Sequence, residues 1–201
     1  MSKKLQSAYQ KISLNEKRVL QMLSIAYEPV TQTKVFEMLR RWNLTDKQEK
    51  KITQKEAKAA LQKLMNEKLL YNDNGYKCCK QMVEEITLEA YEESVFVPML
   101  EIIRDLLRLK SIYYDSRSPV DRSIREIRVA VYNKDYEGFI NSIKVAKKET
   151  PDIKYCNIYN LIFNSPFRPE WLRSLPLEFQ EIAINNITAE VIAKLDPARA
   201  S

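Results

Sequence analysis

Glycine occurs only twice in the 201 residues of this chain, at Gly75 and Gly138, and that scarcity narrows the fold more than any other feature. Glycine supplies left-handed turns and lets a backbone approach a phosphate closely. With two glycines, no Walker loop or G-x-G-x-x-G dinucleotide turn can be written, and a β-rich fold lacks material for its corners. The alternative is helices, and a chain that is 45% hydrophobic and 30% charged can give them one face for a core and one for water. Histidine is absent. That removes His-ligated zinc, the common serine triad and imidazole acid–base catalysis.

The cysteines, Cys78, Cys79 and Cys156, form no C-x-x-C pair of the kind that holds zinc or works as a redox dithiol. On a strand, Cys78 and Cys79 project to opposite faces, which suits burial of one thiol rather than shared metal ligation. They read as structural thiols of a reducing compartment. No apolar run approaches the roughly 20 residues of a membrane span, and the opening MSKKLQSAYQ lacks a signal peptide's apolar stretch. The expectation is an intracellular protein, cytoplasmic or (in a eukaryote) nuclear, with no membrane partner. No nucleophile–base pair or phosphate cradle is visible, so no catalytic residue, metal site or cofactor is assigned and the chain is read as a non-enzyme.

Charge divides the chain. Residues 1–80 carry 17 Lys and Arg against 8 Asp and Glu, a net of +9. Residues 81–201 carry 16 against 19, a net of −3. The division predicts two domains, 1–80 and 81–201, with different partners. A basic domain attracts phosphate backbones through counterion release, which needs no sequence recognition.

In the first domain, Ser13 or Asn15 caps a helix running to about Tyr27, with Val19, Leu20, Leu23 and Ala26 as its apolar stripe. Pro29 stops it. Val30 and Thr31 form an extended link, and a second helix runs from Thr31–Thr33 to about Trp42 with Val35, Phe36 and Leu39 inward. After the polar stretch NLTDKQEKK, Thr53 and Glu56 spell a capping box for a third helix, whose apolar face is Ala57, Ala60, Leu61 and Leu64. Then come Leu69–Tyr71, the Asn74-Gly75 turn and Tyr76–Cys78, a β-hairpin signal.

Three helices followed by a hairpin, with TQKEAKAALQKLMNEKLL leading into LLYNDNGYK, resemble the winged helix-turn-helix superfamily over residues 12–80. The resemblance departs from many members in the long charged link between the second and third helices. It implies a mainly α fold, an N-terminal winged helix (three helices plus a β-hairpin wing) followed by an all-α domain of helix hairpins. It further implies that the third helix enters the DNA major groove and the wing touches backbone or minor groove. On the face opposite the apolar stripe, Lys51, Lys55, Lys58 and Gln62 follow helical spacing, with Lys51 included if the helix starts early, and Gln54 lies beside them. Lysine can pair with phosphate or a guanine edge, and glutamine can hydrogen-bond adenine. Lys34, Arg40 and Arg41 are placed to clamp flanking backbone, Lys77 and Lys80 to add cations on the wing, and Asn72 and Asn74 to reach a groove from its tip. The partner implied is duplex DNA, with RNA as the other nucleic acid, in a transcription-regulating role led by backbone affinity.

From Gln81 the chain reads as helical. Helices are expected from Met82 to Tyr91, from Ser94 to Tyr113, from Asp121 to Tyr132, from Tyr136 to Lys148, from Tyr155 to Phe163 and from Leu177 to about Leu195. Trp171, Leu172 and Leu175 are expected to dock the Pro166–Pro169 break. The segment REIRVAVYNKDYEGFINSI resembles half of a tetratricopeptide-like hairpin, without a second copy at a fixed spacing. Tyr113, Tyr114, Tyr132, Tyr136, Tyr155 and Tyr159 read as core residues. Glu84, Glu85, Glu89, Glu92 and Glu93 read as a solvated helix face. These helices are assigned to a protein partner or a homodimer. The alternative to DNA binding is a protein–protein scaffold or a regulatory subunit of a larger assembly, in which the winged helix contacts no DNA.

Overall fold

The computed structural model describes residues 3–43, 51–107, 119–149, 157–163 and 167–195. Among them are eleven helices and one two-stranded antiparallel sheet, so the mainly helical class holds. The chain divides into two compact units, Met1–Arg125 and Glu126–Ser201. The boundary read from charge near residue 80 falls inside the first unit, because the helices after the hairpin pack on those before it. Unit by unit, the formal charge is +6 (23 basic against 17 acidic residues) and zero (10 against 10).

The first unit is organised around α2 (Leu14–Ala26). Its N-terminus is closed by the Ser13–Glu16 capping box: the Glu16 N–H donates to Ser13 Oγ at 3.3 Å, and the Ser13 N–H donates to Glu16 Oε2 at 2.7 Å. Tyr27, at φ 59°, ends it in the left-handed region. The apolar residues Val19, Leu20, Met22, Leu23, Ile25 and Ala26 are buried, and so are Gln21 and Ser24 on the remaining face. A helix buried all round needs neighbours on every side. These are α3 (Gln32–Arg41), α4 (Gln54–Asn66), α5 (Val83–Glu92), α6 (Phe96–Leu106) and the sheet. Each fully buried Leu or Ile here contributes on the order of 1.5–3 kcal/mol relative to exposure.

An additional helix, α1 (Lys3–Gln10), precedes α2; it buries Leu5 and Ala8, and its Tyr9 hydroxyl donates to the Glu89 carboxylate. Burial and the adjacent Glu89 carboxylate raise the Tyr9 phenol well above its ordinary range. The sequence reading places no helix before Ser13, so α1 is an addition to it. In α3 the inward set is Val35, Met38 and Leu39, with Phe36 only half-buried. The Thr53–Glu56 capping box of α4 is present as expected, and Ala57, Leu61 and Leu64 are buried.

Strands β1 (Leu70–Asn72) and β2 (Tyr76–Cys78) pair in register, Asn72 opposite Tyr76 and Leu70 opposite Cys78. The connection is three residues, Asp73–Gly75, with Asn74 at φ 54°. Val30 adds an isolated antiparallel rung to β2: its N–H donates to the Tyr76 carbonyl at 2.9 Å, and the Tyr76 N–H returns a bond to the Val30 carbonyl at 2.8 Å. Gly75 makes that approach feasible, since a Cβ there would stand 2.9 Å from the Val30 nitrogen, and its φ of +146° is one few side chains adopt.

The first unit closes with the start of α7 (Pro119–Tyr132), and the second runs through the rest of α7, α8 (Tyr136–Glu149), α9 (Ile158–Phe163), α10 (Pro169–Arg173) and α11 (Leu177–Leu195). The second unit's interior is aromatic. Phe139 lies edge-on to Phe179 at 5.2 Å between centroids, Tyr136 meets Phe179 at 5.6 Å, and Tyr132 meets Trp171 at 5.4 Å. Tyr132 is buried and Tyr136 and Tyr159 half-buried, while Tyr113, Tyr114 and Tyr155 lie outside the described residues, as does Cys156. Leu172 and Leu175 are buried beside the proline break. On α6, Met99, Leu100 and Ile103 face the core but Val97 is 49% exposed, and the expected continuation to Tyr113 lies outside the described residues.

Candidate nucleic-acid interface

The residues proposed for nucleic-acid contact sort by what already holds them. On α4, opposite the buried Ala57, Leu61 and Leu64, the side chains of Gln54, Lys55, Lys58 and Gln62 are exposed. Lys55, Lys58 and Gln62 stand at i, i+3 and i+7, on one face by geometry. Gln62 donates to Asn66 Oδ1 at 3.1 Å, a bond within the same helix. Lys51 is exposed but precedes the Thr53 cap, so the expectation that an early start would bring it onto the helix is not met. The other α4 cation, Lys63, is held by Glu16 at 2.9 Å. That contact, together with the hydrogen bonds of the capping box, outweighs the effect of burial and lowers the Glu16 carboxyl below its ordinary value.

The α3 group divides. Arg40 is exposed, Lys34 is half-buried, and Arg41 is bound by Asp105 and by Glu37, the latter at 3.0 Å. Two acidic partners therefore already occupy the guanidinium expected to clamp a backbone.

The β-hairpin differs most from expectation. Lys77 points back into the unit: its ammonium lies 2.6 Å from Asp121 Oδ2 and 5.3 Å from the centre of the Tyr27 ring, leaving its side chain 14% exposed. Asn72 uses its carboxamide oxygen to accept the Gly75 N–H at 3.1 Å and so shapes the turn. Asn74 is exposed at the tip, and Lys80 is exposed in the turn that follows β2. Around the hairpin, Asn74 and Lys80 are thus exposed, and Asn72 is exposed with its carboxamide oxygen engaged.

The glutamates expected on a solvated face divide. Glu92 and Glu93 are exposed, Glu85 and Glu89 are half-buried, and Glu84 is buried. Glu89 and Glu93 hold Lys17, each at 2.6 Å, and Glu93 also binds Arg18 and accepts from Gln21 at 3.1 Å. Burial acts to raise the Glu93 carboxyl, but the hydrogen bonds from Lys17, Gln21 and Arg18 prevail and hold it at about 2. The same cluster raises the Lys17 ammonium against its own desolvation. An interior pair that sequence spacing did not reveal links distant segments: Glu28, fully buried, accepts from Arg122 Nε at 2.7 Å and lies 3.5 Å from Arg125 Nη1. Arg125 also donates to the Leu107 carbonyl at 3.1 Å.

No family model, curated protein or solved structure matches the chain. Among the described residues no group of three or more Cys, Asp or Glu is placed to hold a metal ion, and no helix is long and apolar enough to cross a membrane. Cys78 is a buried free thiol and Cys79 a half-buried one.

Proposed function

We propose that the first unit is a winged-helix module that binds nucleic acid, duplex DNA above all, through the exposed face of α4, and that the protein is a non-enzymatic, intracellular regulator of transcription. The order α2, Val30 rung, α3, α4, hairpin supports the family reading. The observation that carries the function is the division of the cations. Lys17, Arg18, Arg41, Lys63 and Lys77 are each bound to a carboxylate of the fold, whereas Arg40, Lys51, Lys55, Lys58 and Lys80 have no such partner among the described residues. Exposed, uncommitted cations are what counterion release requires. Lysine and glutamine on α4 favour backbone-led affinity over sequence reading, because the bidentate base contacts typical of arginine are missing from that face.

The test is fluorescence anisotropy with a labelled duplex over a salt series. Binding that weakens steeply with salt is expected, and K55Q/K58Q should lower the log–log salt slope by about 1.8, roughly 0.9 per lost phosphate contact. Absence of binding at low salt, or a double variant indistinguishable from wild type, refutes the reading.

A second reading, a protein-docking chain, is favoured by α11. Leu177, Ile184 and Val191 are exposed at 65%, 55% and 50%, while Phe179 and Ala183 of the same helix are buried. The seven-residue spacing matches a helical partner, and a second copy of the chain supplies such a helix. A concentration-dependent dimer in light scattering that I184E abolishes would support it, and a monomer at every concentration would exclude self-association.

A further inference from the structure

From the placement of Lys77 we infer that Asp121 is an intramolecular competitor for nucleic-acid phosphate, holding the wing in a charge-neutralised state that can be unmasked. The inference rests on the reading of the first unit as a nucleic-acid-binding winged helix. Lys77 lies on β2, next to Tyr76, the residue that bridges Val30. It is the cation of the two-stranded sheet itself, and Asp121 at 2.6 Å takes its charge. Asp121 belongs to the first turns of α7, which two further contacts pin to the same neighbourhood. Arg122 reaches Glu28 at 2.7 Å, and Arg125 lies 3.5 Å from the same carboxylate. Glu28 stands two residues before the Val30 rung, so α7 holds both the segment leading into the bridge and the strand on its other side. The ion pair is only partly shielded: Lys77 and Asp121 keep 14% and 20% of their side-chain exposure. The Lys77 stem reaches that solvent edge and is long enough to redirect its ammonium once the counter-charge is gone.

The masking makes a charge-specific prediction. Asp121→Asn removes the competitor, frees one cation on the wing and leaves a side chain of the same shape. Its binding to a labelled duplex should show a log–log salt slope steeper than wild type by about 0.9, one added phosphate contact. The double variant D121N/K77Q exchanges a neutral pair of charges for a neutral pair of amides and should return to the wild-type slope. Thermal melting followed by circular dichroism establishes that each variant folds. Should D121N fail to fold, D121S carries the same comparison with less bulk against the ammonium.

A D121N slope equal to wild type, with wild type itself binding, overturns the masking alone. A D121N gain that persists in D121N/K77Q also overturns it, because the new contact then does not come from Lys77. If neither wild type nor D121N binds at low salt, the nucleic-acid reading fails and the masking with it. Binding by D121N alone supports the masking and overturns the reading that the exposed α4 face suffices by itself.

Discussion

Replacing Gly75 with alanine asks whether the rung between Val30 and Tyr76 is a structural necessity or a passing contact. The added Cβ would sit 2.9 Å from the Val30 nitrogen and 3.0 Å from the Pro29 carbonyl carbon, both backbone atoms that cannot rotate away. The backbone φ of +146° adds strain that does not depend on the neighbours. A side chain in a glycine-only region costs about 1–3 kcal/mol. Relieving the clash by overpacking costs about 1–3 kcal/mol more, or else it stretches two hydrogen bonds worth about 0.5–1.5 kcal/mol each. The sum is on the order of 2–6 kcal/mol, a large part of the 5–15 kcal/mol typical of a domain. Urea unfolding monitored by circular dichroism gives the loss as a lower midpoint at unchanged slope. Amide exchange localises it: the Val30 and Tyr76 N–H groups, both donors across the rung, should lose protection first. A midpoint within about 0.5 kcal/mol of wild type, the range of an ordinary surface change, with both amides still protected, would refute the argument that this glycine is required by close approach.

Glu28→Gln should destabilise the first unit by about 3–5 kcal/mol, since it removes the buried carboxylate shared by Arg122 and Arg125, whose side chains are 8% and 1% exposed. An unchanged thermal midpoint would contradict this. The Glu93 carboxyl, at about 2 in the folded protein, lies below its unfolded value, so its contribution is fully present above about pH 4.5 and is lost as pH falls towards 2. Stability measured down that acid limb should fall less steeply in E93Q than in wild type; equal steepness would show that the Lys17–Arg18–Glu93 cluster does not set the response. For Lys17 the sign reverses: its raised ammonium stabilises below its ordinary value and loses that contribution as the solution becomes strongly alkaline, so K17M should flatten the alkaline limb.

Local grammar was legible and distant pairing was not. The Thr53–Glu56 and Ser13–Glu16 boxes are three-residue patterns whose partners are fixed by helix geometry, and both helices start where those letters stand. The hairpin is equally local, although its loop is one residue longer than a two-residue Asn-Gly turn because Asn72 caps the Gly75 N–H. Helix α1 escaped because what holds it, the Tyr9–Glu89 bond, spans 80 positions. By sequence Lys77 reads as a cation offered to a nucleic acid, yet its partner Asp121 is 44 positions away. The glutamates of α5 were assigned to solvent because the spacing of like charges says nothing about a basic helix lying against them. Of the candidate site, the exposure of the α4 face is therefore legible in the sequence and the pairing of Lys77 is not.

The same pairings recast the charge argument. A net of +9 over residues 1–80 counted every lysine equally. The fold removes from that count the cations that meet α5, α6 and α7, namely Lys17 and Arg18, Arg41, and Lys77. It leaves the exposed side of α4 untouched. On the proposed reading, affinity rests on Lys55 and Lys58 together with other exposed cations of the described residues, Arg40, Lys51 and Lys80 among them. Each phosphate contact sets about 0.9 of salt slope. A lysine released from Asp121 adds one such contact, which is why the charge state of position 121 should be felt in binding although Asp121 itself need touch no nucleic acid.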